Sequence, residues 1–232
     1  MKKHRKFGYE GLAEVYVKVR KEGYSRTYDS MCRIIREMKG GVKEKTKKPH
    51  KRKKKTEQAK YPGERVQIDI KYVPEECIQF GTRDQKYYQI TVLDEYTRKR
   101  VLRIADEKST YQTAKFLENL EKELGFDIKK VQTDNGKEFT NSESDKKTLF
   151  ELKLEEKGIE YGITRPYSPW ENGKVERSHR LDNKYYADKK FKSKEELLRA
   201  IKKYNTRYNN ISRKVLGFKS PNEVLKEYKE NQ

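Results

Sequence analysis

Between Lys43 and Lys60 the chain offers almost nothing to a hydrophobic core. The stretch follows Gly40-Gly41 and is nearly all Lys, Arg, Thr, Glu and Gln. Its run His50-Lys51-Arg52-Lys53-Lys54-Lys55 holds no apolar side chain. A segment that cannot bury a face has little to offset the entropy of ordering it, so it reads as a linker. It divides the chain into an amino-terminal region, residues 1–40, the basic linker, 41–60, and a long carboxy-terminal body. Hydrophobic residues make up only 32% of the chain and charged residues 41%. The apolar residues must therefore be gathered into the two flanking bodies.

The net charge of +20 asks for a polyanionic partner. Nucleic acid fits best. A membrane does not, since no segment approaches the roughly 20 apolar residues of a spanning helix. The basic start, Met1 to Lys6, is followed by no apolar stretch and does not read as a secretory signal. Cys32 and Cys77 stand in separate segments, and the three histidines are scattered. Such spacings suggest neither a disulfide framework nor a zinc site, and they fit a reducing cytoplasm, nucleoid-associated if the source is bacterial. Lys51, Arg52, Lys53, Lys54 and Lys55 are expected to form a phosphate-binding arm, because each cation placed at a phosphate releases counterions.

Before the linker, Tyr9 to Lys21 reads as a helix with Leu12, Val15 and Val19 at helical spacing. Gly23 supplies a turn. A second helix runs from about Thr27 to Met38, capped by Ser25 or Thr27, with Met31, Ile34, Ile35 and Met38 on one face. This is the outline of a helix-turn-helix, with Arg26, Asp29, Ser30 and Arg33 facing outward and Arg26 and Arg33 as its expected DNA contacts.

After Tyr61 the pattern becomes α/β. Val66, Ile68 and Ile70 alternate with Gln67, Asp69 and Lys71, which predicts a strand. Tyr87–Leu93 and Lys99–Ile104 follow closely enough for an antiparallel meander. A helix opening on Ser109 and Gln112 carries Tyr111, Ala114, Leu117, Leu120 and Leu124 as its expected buried stripe and ends at Gly125. Ile128–Thr133 is a fourth strand. Leu149, Leu152 and Leu154 mark another helix, and Ile159–Ile163 a fifth strand. A further helix begins near Gly173. Ser193 with Glu196, and Ser220 with Pro221 and Glu223, open two helices in the tail. The class is α/β: a mixed five-stranded sheet with helices on its faces, a core over 61–188 and a helical extension over 189–232.

Asp69 lies mid-strand among apolar neighbours, an unfavourable place for a carboxylate unless it faces a cleft. Asp134 closes another strand, where α/β sheets place ligands. Glu176 lies in the first turns of a helix. Each alone reads as an ordinary surface or capping acid. Three acids from two strands and a helix can, however, converge on divalent metal. Mg²⁺ takes hard oxygen ligands, and two such ions suffice for phosphodiester attack.

These segments resemble those of the insertion-sequence DDE transposases and retroviral-type integrases, whose catalytic core is ribonuclease H-like. The resemblance runs through Pro62-Gly63-Glu64-Arg65-Val66-Gln67-Ile68-Asp69, Val92-Leu93-Asp94-Glu95-Tyr96-Thr97-Arg98 and Thr133-Asp134-Asn135-Gly136-Lys137-Glu138-Phe139. It is most specific in Thr164-Arg165-Pro166-Tyr167-Ser168-Pro169 and Asn172-Gly173-Lys174-Val175-Glu176-Arg177-Ser178-His179-Arg180. The resemblance implies that Asp69, Asp134 and Glu176 are the catalytic and metal-binding triad, with two Mg²⁺ or Mn²⁺ ions and no zinc. It makes Asp94 a structural acid. Lys174, Arg177 and His179, on or near the catalytic helix, become expected DNA contacts. Between Asp134 and Glu176 lie 41 residues, more than is familiar in the family, and the polar Asn141–Lys147 stretch is expected to be a surface insertion.

The function expected from the resemblance is metal-dependent DNA cleavage and strand transfer by a recombinase acting as a homo-oligomer on DNA. Two competitors stand beside it: an inactive or domesticated transposase-derived DNA-binding protein, and a nuclease that cuts without joining. Trp170, in the loop ahead of the catalytic helix, is expected either to stack on an unpaired base or to pack on the sheet edge.

Overall fold

The computed structural model describes residues 11–38, 58–82, 84–141, 146–165, 168 and 171–231. The expected linker arm Lys51–Lys55 and Trp170 lie outside the described residues. Strands β1 (Val66–Tyr72), β2 (Tyr88–Asp94) and β3 (Arg100–Ala105) form the antiparallel meander that the sequence predicts. Strands β4 (Lys130–Thr133) and β5 (Glu160–Ile163) add in parallel, giving the order β3-β2-β1-β4-β5. β1 is thus central, and its two faces meet different partners.

Val66 and Ile68 point to one face and join Ile90, Val92, Val101 and Val131. Over them lie α3 (Thr110–Leu117), α4 (Leu120–Leu124) and α5 (Leu149–Glu156), which contribute Phe116, Leu120, Leu124, Phe150 and Leu154. Each fully buried large side chain contributes about 1.5–3 kcal/mol. On the opposite face Gln67, Asp69 and Lys71 meet α6 (Gly173–Tyr186). α7 (Lys194–Asn209) packs beside it along β3, and Tyr186, Phe191, Leu197 and Ile201 form a second cluster.

The entrance to β1 is pinned by Gly63. Its φ is +82°, and a Cβ there would stand 2.0 Å from the Asp127 carbonyl oxygen, so only glycine fits. Its N–H donates to Asp94 Oδ1 at 2.9 Å, and Asp94 Oδ2 accepts from the Thr97 amide and hydroxyl, both at 2.7 Å. Asp94 is buried and structural, as the resemblance implies.

One helical expectation needs correction. The single helix expected after Ser109 breaks at Glu118 and Asn119 into α3 and α4, and Thr113 and Phe116 are buried while Tyr111 is exposed. In α5 the buried residues are Phe150 and Leu154, and Leu149 and Leu152 stay exposed. The cap at Ser220 forms a reciprocal capping box with Glu223 at the start of α8 (Pro221–Glu230).

The amino-terminal hairpin, α1 (Gly11–Lys21) and α2 (Tyr28–Glu37), encloses its own small core of Val15, Met31 and Ile35. Thr27 is the cap of α2. The hairpin rests on the loop before α8. Glu14 accepts the Ser212 amide at 2.8 Å, and Phe218 packs against Tyr16 and Tyr28. Arg26 and Arg33 are exposed, whereas Asp29 pairs with Lys214 at 3.2 Å and Ser30 bonds Thr27.

Candidate active site

Asp69 and Asp134 are brought together by strand register. Gln67 pairs with Gln132 in the parallel β1–β4 ladder. Two residues further along both chains stand Asp69 and Asp134, on neighbouring strands that run about 4.8 Å apart. Strand alternation aims Gln67 and Asp69 to the same face, and Gln132 and Asp134 likewise.

The two glutamines hold the helix that carries Glu176. Gln67 Nε2 and Gln132 Nε2 both donate to the Glu171 carbonyl, at 2.7 and 2.9 Å. Gln67 Oε1 accepts from the amides of Lys174 and Val175, at 3.2 and 3.0 Å. Asn172, at the cap position of α6, makes no side-chain capping bond. A residue of β1 therefore satisfies amides that a helix normally leaves to its own cap. The loop ahead of α6 is closed by Arg165, whose amide and guanidinium bond the Glu171 carboxylate.

The electrostatics of the cleft are unbalanced. Burial and the negative charges of Asp134, Glu176 and Glu138 push the Asp69 carboxyl up to about 7, although the Ile70 amide bonds it. Asp134 is also raised, by loss of solvent on its cleft side and by Glu138, even though its side chain reaches water and accepts the Gly136 amide at 3.2 Å. Glu138 sits beneath the Asp134-Asn135-Gly136 turn: a Cβ on Gly136 would meet its Oε1 at 2.6 Å. Lys108 pairs with Glu138 at 2.8 Å. Glu138 is thus a fourth acid at the site. The motif that contains Asp134 also contains it, but nothing in its spacing marks it as a member of the cleft.

Glu176 is exposed at the start of α6, and its charge acts on Asp69. Among the described residues, no three His, Cys, Asp or Glu side chains stand close enough together to hold a metal ion. The donor set fits Mg²⁺ or Mn²⁺ in chemistry: hard carboxylate oxygens, mutually repelling and short of cationic partners, are what such ions neutralise.

His179 and Lys174 are engaged within the chain. His179 Nδ1 lies 3.4 Å from Asp69 Oδ2, and its Nε2 lies 3.2 Å from the Thr91 hydroxyl. Burial lowers its pKa to about 4, so the ring is neutral. With the proton on Nδ1, Nε2 accepts from the Thr91 hydroxyl and the ring edge faces Asp69. Thr91 in turn accepts from Gln89. Lys174 pairs with Glu95, which also binds Arg65 and Gln67. Arg177 faces solvent. Lys71, one pleat beyond Asp69, bonds Asn183 and lies 5.4 Å from the Tyr186 ring centroid. The alternation that turns Asp69 to the cleft also aims Gln67 and Lys71 there, and that signal is present in the sequence.

Two family models, both described as "Integrase core domain", match this chain, one over residues 59–169 and one over residues 157–213. The chain belongs to the integrase core family. Asp69 and Asp134 fall in the first match, and Glu176 with the whole of α6 in the second. The protein named Putative integrase ORF3, from Spiroplasma virus SpV1-C74, is 32% identical over 169 residues, which is 67% of this chain and 46% of that one. The chain spans about half the length of that relative. Among solved structures, the BIV integrase catalytic core domain is similar with a TM-score of 0.53 at 20% identity, covering 73% of this chain and 97% of that one. The HTLV-2 integrase catalytic core domain in complex with magnesium, in a trimeric form, gives a TM-score of 0.52 at 18% identity over 72% of this chain and 99% of that one. At these identities the likeness establishes the fold, a ribonuclease H-like integrase core. Among the described residues no helix is long and apolar enough to cross a membrane.

Proposed function

We propose that this integrase core is a DNA-cutting and DNA-joining enzyme, a polynucleotidyl transferase of the DDE type, with Asp69, Asp134 and Glu176 as its acidic triad. The observation that carries the reading is the pair of raised, mutually repelling carboxylates on β1 and just past the end of β4, tied through Gln67 and Gln132 to the helix bearing Glu176. Such repulsion is costly in a merely structural site and suits one that receives a cation.

Asp69 and Asp134 would hold Mg²⁺ or Mn²⁺, with Glu176 as the third donor. Metal bound there supplies charge stabilisation for the leaving oxygen and activates the attacking hydroxyl. The protein groups do the positioning. Gln67 and Gln132 set the start of α6 against both strands, the Ile70 amide holds one oxygen of the Asp69 carboxylate, and the neutral His179 ring stands beside the other. The exposed Arg26 and Arg33 of the hairpin, the Lys51–Lys55 arm and Arg177 supply affinity for DNA phosphate. Cutting and joining two element ends needs two active sites, so a homo-oligomer on DNA follows. The HTLV-2 core has been solved in dimeric and trimeric forms.

Incubation of the protein with Mn²⁺ and labelled duplex ends tests the reading. Nicked ends and joined products are expected. Nicks without joining would leave a nuclease. Binding with neither would leave a transposase-derived DNA-binding protein, the second reading, for which the spread of the acids among the described residues speaks.

A further inference from the structure

A groove of about 1090 Å³ runs from Glu176 along the outer side of α6, between α7 and the amino-terminal hairpin. The exposed cations Arg177, Arg180, Lys189, Lys203 and Arg207 stand along it, beside apolar side chains such as Leu12, Leu181 and Val215. Among the described residues the one acid lining it is Glu176, at the active-site end. Three separate segments, α6, α7 and the Arg213–Lys214 turn, bring positive charge to one trough, which sequence order alone does not suggest.

Four tyrosines line the same groove, Tyr28, Tyr185, Tyr204 and Tyr208. Basic grooves with free aromatic faces stack the bases of single strands. Here the faces are already covered. Tyr185 and Tyr204 stack on each other at 3.9 Å and 10°. The Arg100 guanidinium lies 4.8 Å from the Tyr204 ring centroid. Tyr208 carries Arg100 at 3.6 Å and Arg213 at 3.9 Å. Tyr28 is covered by Lys214 at 4.6 Å and by Phe218 at 5.2 Å. The groove therefore combines strong positive charge with tyrosines whose rings are committed to the chain's own groups.

We infer that this groove is a sequence-independent seat for the phosphate backbone of duplex DNA, running from the cutting site toward the hairpin. The inference rests on the reading of the protein as a DNA-acting enzyme and extends it to a surface that begins at Glu176 and is lined by neither Asp69 nor Asp134. Phosphate contacts of this kind set position and register and carry no base information.

The triple variant Lys189→Gln, Lys203→Gln, Arg207→Gln tests it in the full-length chain. All three side chains are exposed, with Lys189 lying 5.5 Å from the Tyr185 ring centroid, and the melting temperature, measured beside the parent's, serves as the folding check. Affinity is measured without metal, against salt, for two unrelated duplexes and a single strand of equal length. The expected result is a salt dependence flattened by up to about 0.9 log units for each duplex phosphate no longer neutralised, equal for both duplexes. An unchanged slope overturns the proposal. So does a loss confined to the single strand, or to one of the duplex sequences, since either would mean base recognition. Because no metal is present, the result is independent of cutting. A parent chain that never cuts but whose variant shows the flattened slope keeps the groove and loses the enzyme. One that cuts, with the slope unchanged in the variant, keeps the enzyme and loses the groove.

Discussion

Helix α6 touches two aspartates in opposite conditions. Asp182, on the helix itself, is fully buried: its Oδ1 receives Arg100 at 2.7 Å and the Tyr204 hydroxyl at 2.9 Å, and its Oδ2 receives Gln89 at 2.8 Å. Asp69, across from the start of the same helix, has its own neighbour's amide at 2.8 Å and a neutral imidazole at 3.4 Å, and otherwise faces other carboxylates. Gln89, Thr91 and His179 link the two in one polar chain. A buried acid that serves the fold is neutralised by its own chain. One that serves chemistry is left short of charge, for something else to complete.

The comparison is broken most forcefully at the acids. Asp69→Asn, Asp134→Asn and Glu176→Gln should each cost about 10⁴-fold or more in cleavage, roughly 5 kcal/mol of transition-state stabilisation, while most DNA affinity remains. Gel assays of nicking and joining, beside a binding titration, separate the two. Full cleavage by any one variant removes that residue from the triad. At the satisfied end the effect moves to stability. Arg100→Met leaves Asp182 charged and buried, and should cost about 3–5 kcal/mol in a urea melt. Asp69→Asn in the same melt should be neutral or stabilising.

Gln67→Leu tests the link between strand and helix. It strips the amides of Lys174 and Val175 of their acceptor, and should cost about 1–3 kcal/mol. Cleavage should fall further than stability alone explains, because Glu176 rides on that turn. Cleavage that tracks only the folded fraction would make Gln67 a purely structural residue.

The smallest effect is a pH slope. The Asp69 carboxyl is raised to about 7 in the folded chain from an ordinary 3.8. A raised carboxyl binds its proton more tightly when folded. The stability it contributes is present below the ordinary value and is lost as pH rises through 7. Metal-free protein should therefore lose up to roughly 1 kcal/mol between about pH 6 and about pH 8, and Asp69→Asn should lose less. Added Mg²⁺ should flatten the parent's slope. A parent and variant with identical slopes would show that Asp69 does not carry the charge imbalance.

Much of this is legible in the chain because it is local. Alternation around Asp69, the turn after Asp134 and the caps at Thr27, Ser193 and Ser220 are written in neighbouring residues, and the structure keeps them. What misleads is residue type read without its packing partners. Glu118 and Asn119 interrupt the helix after Ser109, yet Phe116, Leu120 and Leu124 keep a spacing of four across the break and bury together, while Tyr111 stays exposed. The helix over Leu149–Glu156 is legible as a helix, but its rotation follows from the packing of Phe150 against Phe139 and Tyr161, which leaves Leu149 and Leu152 exposed.

The sequence by itself determined that three acids sit on two strands and a helix start, that the flanks are basic, and which family the motifs resemble, since each is a matter of short spacing and residue type. Only the tertiary structure decided which charges are neutralised. Lys174 is paired with Glu95, 79 positions away, Gln67 caps a helix more than a hundred positions on, and His179 is neutral because burial withdraws water from it. Those outcomes depend on distance and desolvation between segments remote along the chain, and neither quantity exists until the sheet and helices have packed.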